Sequence, residues 1–189
     1  MTIEPAREPN LLELTLQAAL RDVPTSSAGS VAFAPKLPEG MAFKATQAIH
    51  DERGHLTEIF DARWDWSSEP YRQGYLTTLR PGVVKGWALH KTHEDRYFVV
   101  SGEMMLVTYD PRPESATYGL LSKLVLTGDQ PRIVNIPKFV WHADWNIGTS
   151  DVVLMNFPTV PYDHANPDKY RLPLDTDLIP FDFNGAKGW

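Results

Sequence analysis

The sequence predicts an all-β domain preceded by a single helix. From residue 40 onward the chain breaks into apolar runs of five to nine residues: GHLTEIF, GYLTTLR, GVVKGWALH, RYFVV, EMMLVTYD, LLSKLVL, RIVNI, FVWHADW and DVVLMNF. Gly, Pro, Asp or Ser punctuates them, and no second amphipathic helical stretch lies between them. Closely spaced short strands without intervening helices form antiparallel sandwiches or barrels rather than βαβ sheets.

The elements follow in order. NLLELTLQAALRDVP predicts a helix: Asn10 can cap it, Glu13 stands in the capping-box position, and Leu12, Leu16 and Leu20 form one stripe. Pro24 ends it, and TSSAGS reads as a polar linker. Residues 1–39 are thus expected to be helix and linker, and residues 40–189 a barrel. Ser101-Gly102, between RYFVV and EMMLV, reads as a hairpin turn in which Gly supplies positive φ. From Pro158 the chain is rich in Pro, Asp and Tyr, which predicts an irregular tail laid over the barrel.

Composition excludes several classes of function. A length of 189 residues with 42% hydrophobic content suits one domain with a real core. Cysteine is absent, which removes disulfides and thiolate chemistry. A net charge of -6 disfavours nucleic acid and anionic membranes as partners. No run of 18 apolar residues predicts a membrane helix, and MTIEPAREPN does not read as a signal peptide, so the expected location is cytoplasmic.

Two histidine regions carry the chemistry. Alternation along GVVKGWALH places Ala88 and His90 on one strand face, with Trp87, Leu89 and Lys91 on the other. In the second region, FVWHADW, His142 is flanked by Trp141 and Trp145, with Asp144 two residues on. The spacing Ala88-Leu89-His90, Asp95, Gly102 resembles the first cupin motif with its first His replaced. Pro137, Phe139, His142 and Asn146 resemble the second, with Phe139 in place of its Gly. The resemblance implies a cupin double-stranded β-helix, a jelly-roll barrel.

A longer resemblance covers residues 40–183. DERGHLTEIF is similar to the DxRGxxxExF opening of dTDP-4-dehydrorhamnose 3,5-epimerases. QGYLTTLRPGVVKG, YDPRPESATYG, IPKFVWHA and LDTDLIPFDF resemble that family's later segments in the same order. The resemblance implies a dTDP-4-keto-sugar epimerase or isomerase that removes a proton α to a ketone, without a cofactor. Its implied partner is a small nucleotide sugar, and the family's strand exchange implies a homodimer.

Carried over residue by residue, the substrate-binding positions fall on Arg53, Glu58, Gln73 and Lys85, with His142 nearby. The aspartate that orients the base matches Asp175. The base itself falls on Ala88 and the enolate-stabilising lysine on Asp95, a charge reversal. The tyrosine falls near Met155, with Tyr162 able to approach from a shifted loop. His90, about 7 Å along the strand from Ala88, is the candidate replacement base. Catalytic His90, Asp175 and Tyr162 are the expectation.

Two other readings stand beside this one. His90, Asp95 and His142 occupy three of the four cupin ligand positions, and two imidazoles with one carboxylate suit Fe, Mn or Zn. Alternatively Arg53, Glu58, Gln73 and Lys85 hold a sugar nucleotide in a cupin without turnover. Taken singly, Arg53 and Glu58 also fit ordinary surface charges, and His93 fits a solvated rim position.

Overall fold

The computed structural model describes residues 35–61, 63–64 and 70–188, so the expected N-terminal helix lies outside the described residues. The described residues are all β, with no helix among them. The strands are β1 (Ala42–Ala45), β2 (Ala48–Asp51), β3 (Gly54–Thr57), β4 (Tyr75–Leu79), β5 (Val83–Leu89), β6 (Asp95–Ser101) and β7 (Glu103–Tyr109). They continue as β8 (Leu121–Thr127), β9 (Arg132–Ile136), β10 (Trp141–Asn146), β11 (Val152–Asn156), β12 (Tyr170–Arg171) and β13 (Lys187–Gly188).

One sheet runs β1-β9-β6-β11-β4 and the other β12-β5-β10-β7-β8, with β13 also on β5. From β4 to β7, and again from β8 to β12, each successive strand changes sheet, which winds the chain into the expected double-stranded β-helix. The β2–β3 hairpin forms a separate two-stranded sheet.

Crossing between sheets corrects one expectation. β6 and β7 do not pair, so Ser101-Gly102 is a corner between sheets, not a hairpin turn. Gly102 has φ +84°, and a Cβ there would stand 2.8 Å from the Asp151 carbonyl oxygen. Only glycine suits both the left-handed backbone and the close approach.

Period-two alternation builds the interior. Leu79, Tyr97, Val99, Met104, Leu106, Leu124, Leu126, Val134, Ile136, Val152 and Leu154, from six strands of the two sheets, meet in one buried cluster. Each large side chain buried this way contributes about 1.5–3 kcal/mol. A second cluster lies on the outer face of the six-stranded sheet. Val84, Trp87, Val107 and Ala143 are covered there by Ile179 and Phe183 of the tail, with Phe181 and Leu174 packed alongside. Trp87 is fully buried, 5.4 Å from the Phe183 ring and edge-on to Phe181. The tail is therefore a wall of this sheet, and Trp87, Trp141 and Trp145 belong to that outer core.

One irregularity shapes the interior. His142 pairs with Ala88, but Asp144 pairs with Lys85, so three steps along β5 oppose two along β10. The bulge lies at Gly86–Trp87, and through it Lys85 and Ala88 both face inward while Val84 and Trp87 both face the tail. A Cβ on Gly86 would lie 2.3 Å from Ala143 Cβ, so β10 packs directly on bare backbone there.

Candidate active site

Between the sheets lies a polar cavity. The five-stranded sheet lines it with Tyr75 and Thr77 from β4, Tyr97 from β6, and Leu154 and Asn156 from β11. The six-stranded side supplies Lys85 and Ala88 from β5, His142 and Asp144 from β10, and Lys169 and Arg171 from the β12 segment. Phenols thus face carboxylate, imidazole and cations across the gap. The Lys85 ammonium spans it, donating to Thr77 Oγ1 at 2.5 Å.

Asp144 is fully buried, and its two oxygens have different partners. Oδ2 accepts from Tyr97 Oη at 3.4 Å, while Oδ1 has no hydrogen-bond partner. Burial pushes this carboxyl up to about 6, although the His142 and Lys169 charges pull the other way. Opposite, Tyr75 Oη accepts from Asn156 Nδ2 at 2.8 Å, which leaves its own hydrogen for the cavity. Burial and the Asp95 charge push this phenol up to about 12. Tyr75 sits on an edge strand and is 42% exposed overall, so the ring forms part of the rim while its hydroxyl faces inward.

Behind the His142 wall lies a second arrangement. Asp95 Oδ2 stands 3.2 Å from His90 Nε2 and 3.5 Å from His142 Nε2, and Oδ1 stands 3.7 Å from His93 Nε2. Asn156 Nδ2 also donates to Asp95 Oδ1, at 2.8 Å, joining this hub to Tyr75. Burial would raise the Asp95 carboxyl, but the hydrogen bonds and charges of His142 and His90 hold it well below the ordinary range. Burial would lower His90, but Asp95 outweighs it and raises this imidazole. His93 moves down, through burial and the neighbouring His90 charge.

The far sides of the rings fix their tautomers. His90 Nδ1 meets the Asp168 carbonyl, and His142 Nδ1 meets the Val140 carbonyl at 3.2 Å. A carbonyl oxygen only accepts, so each Nδ1 carries a hydrogen. In a neutral ring Nε2 would then turn a lone pair on the Asp95 carboxylate. Such acceptor-to-acceptor contacts persist only where a proton or another cation lies between them. His90, Asp95 and His142 are all buried, and their donor atoms lie within 4.8 Å of one another.

Several expected site residues lie elsewhere. His90 does not line the cavity, because both its nitrogens are engaged in the hub. Asp175 is exposed on the tail beside Leu174 and Asp182, so the carboxylates at His90 and His93 are Asp95 and Asp168 instead. Tyr162 is 45% exposed, and its backbone N–H donates to Gln73 Oε1 at 2.7 Å. The phenols in the cavity are Tyr75 and Tyr97. Arg53 and Glu58 are exposed, with Arg53 paired to Asp51 on the hairpin. Lys85 and His142 do line the cavity, and Ala88 does so where the resemblance put the base. His93, expected at a solvated rim, is held between Asp95 and Asp168.

One motif of the resemblance proves architectural. In YDPRPESATYG the buried Asp110 carboxylate accepts from Arg112 Nε at 2.8 Å, Ser115 Oγ at 2.6 Å and Thr117 Oγ1 at 2.6 Å. Burial raises this carboxyl, but those donors outweigh it and depress it. It therefore stabilises the fold above the ordinary 3.8, and that contribution is lost as pH falls below it. Sequence reasoning missed Tyr75, Asp144, Asp168 and Lys169. Asp144 had a signal, since it lies two residues from His142 on the same strand face. Lys169 and Arg171 also alternate around Tyr170, but in a tail that does not read as strand.

Comparison with known proteins gives the family and the fold. The family of polysaccharide biosynthesis C-terminal domains matches residues 49–170. The Haloferax volcanii protein named "Probable low-salt glycan biosynthesis epimerase Agl13" is 36% identical over 139 residues, covering 73% of this chain and 89% of that protein. The spore coat polysaccharide biosynthesis protein SpsL of Bacillus subtilis is 30% identical over 147 residues, covering 77% and 96%. Among solved structures, a dTDP sugar isomerase from Desulfovibrio desulfuricans superposes with TM-score 0.73 at 26% identity, over 80% of this chain and 97% of that one.

Proposed function

Since this chain belongs to the polysaccharide biosynthesis C-terminal domain family and has the cupin fold of the dTDP-4-dehydrorhamnose 3,5-epimerases, we propose that it epimerises a nucleotide-linked 4-keto sugar. One observation carries the reading: Asp144, a buried carboxyl with one unpartnered oxygen, and Tyr75, with a free hydroxyl hydrogen, line one cavity from opposite sheets. Inverting a carbon α to a ketone needs a base on one face and a proton donor on the other. Asp144 Oδ1 takes the α-proton, the C–H pair becomes the C=C bond, and the carbonyl π pair moves to oxygen. Tyr75 then returns a proton to the opposite face of the carbon and the ketone re-forms. Solvent restores both groups to their starting states. A carboxyl near 6 is poised to accept a proton near neutral pH, and a phenol near 12 stays protonated and able to donate.

Deuterium wash-in tests this directly. A dTDP-4-keto-6-deoxyhexose incubated with the protein in D2O should gain deuterium α to its ketone. A dTDP-sugar that binds without any exchange leaves only a holding role.

Arg53 belongs to this reading through a second copy of the chain. The β2–β3 hairpin exposes Ile49 and Leu56, 64% and 60% accessible and cross-strand partners. Burying that pair on another subunit would present Arg53 and Glu58 to the neighbour's nucleotide. Sedimentation velocity should show a wild-type dimer, and a shift toward monomer in I49S/L56S.

The hub favours a second reading of how the site is completed. His90, Asp95 and His142 fit a divalent ion: both Nε2 atoms converge on one carboxylate oxygen, and both Nδ1–H groups are anchored on carbonyls, the outer-shell arrangement usual for ligating histidines. When bound, Fe, Mn or Zn would supply Lewis-acid polarisation. Metal analysis after incubation with each ion should find about one equivalent, lost in H90A/H142A; no uptake leaves the hub an imidazolium–carboxylate cluster.

A further inference from the structure

The resemblance places the enolate-stabilising lysine at the position held here by Asp95, whose carboxylate is committed to three imidazoles. Proton abstraction α to a ketone still develops negative charge on oxygen, and a site without a donor aimed at that oxygen forfeits most of its rate. The cavity holds three cations: Lys85, Lys169 and Arg171. Lys85 is committed to Thr77. Lys169 is an exposed residue immediately before β12, and its ammonium has no hydrogen-bond or ion-pair partner among the described residues. The charges around it are those of Arg171, Asp144, Asp95 and Lys85. It shares the cavity with Asp144, whose Oδ1 is also unpartnered. An ammonium and a carboxyl that line one cavity without pairing leave room for a group to bridge them. A ketone with an adjacent C–H bond is such a group, with its oxygen toward the cation and its hydrogen toward the anion.

We propose that Lys169 is the catalytic cation that holds the enolate oxygen, so that the lysine lost from β6 is replaced from the β12 segment. The proposal rests on the epimerase reading above. As the α C–H bond breaks and its proton passes to Asp144, the carbonyl π pair settles on oxygen beside the Lys169 ammonium. The ammonium keeps its own protons throughout and releases the oxygen when the ketone re-forms.

The test is deuterium wash-in to a dTDP-4-keto-6-deoxyhexose by wild type, Lys169→Ala and Lys169→Arg, with dTDP affinity measured by calorimetry. Lys169→Ala should lower kcat for exchange by about 100-fold, the order lost with a single oxyanion donor, while dTDP affinity holds. Ethylamine should restore part of the Lys169→Ala rate, and Lys169→Arg should retain more than Lys169→Ala. A loss smaller than tenfold, a loss confined to KM, or a deficit that ethylamine leaves untouched overturns the assignment. Wild-type protein that catalyses no exchange rejects the epimerase reading itself, a result distinct from exchange that survives Lys169→Ala.

Discussion

Asp144→Asn should slow α-proton exchange by about 10³-fold, within the range general-base catalysis supplies, and should leave the protein more stable at neutral pH. The amide keeps the shape and can still accept from Tyr97 Oη, but it cannot take a proton. The stability gain follows from linkage. Burial raises the folded carboxyl from 3.8 to about 6. The folded state therefore binds more protons between those values, and stability falls as pH rises through that window. The loss is on the order of 3 kcal/mol. Asp144→Asn removes that loss, so its urea midpoint should exceed wild type at pH 7 and match it more closely at pH 4. A residue that costs stability while supporting exchange has the signature of a site held under strain for function. Exchange within tenfold of wild type, or a variant that loses stability along with activity, would remove Asp144 from the mechanism.

Asp95→Ala should cost about 3–5 kcal/mol in metal-free protein, the range for breaking a buried ion pair from one side. Asp95 is fully enclosed among His90, His93 and His142, and its removal leaves imidazoles without a counter-charge. The pH dependence has two limbs. Asp95 is depressed, so its contribution is present above 3.8 and lost as pH falls. His90 is raised, so its contribution is full below 6.5 and lost as pH rises through its folded value. In chelator the difference between wild type and Asp95→Ala should be largest between about pH 4 and 6.5, and smaller at pH 8. Denaturation curves at pH 5.5 and 8 measure both. A cost under 1 kcal/mol at pH 5.5 means that the hub does not hold the barrel together.

The barrel was legible because its signal is local. Alternation along EMMLVTYD and LLSKLVL predicts which side chains enter the interior, and Met104, Leu106, Leu124 and Leu126 do so. His90, Asp95 and His142 also lie together, as the resemblance of the two histidine blocks to the cupin motifs implies. The roles within the site were less legible. Extrapolated alternation along β5 misses the bulge at Gly86–Trp87 that turns Lys85 inward, because the bulge arises from close packing against Ala143 on another strand.

What the sequence alone determined is the β architecture and the two-sheet interior, which follow from a period of two, while the meeting of His90 and His142 with Asp95 was implied by the cupin resemblance. Only the tertiary structure decided that His90 is locked into a hub rather than facing substrate, that Asp168 and not Asp175 reaches the histidines, and that Tyr75, Asp144 and Lys169 share one cavity. These three come from β4, β10 and the stretch just before β12. Their meeting depends on which strands pair across the barrel and where the tail crosses it, and no local pattern of residues encodes that.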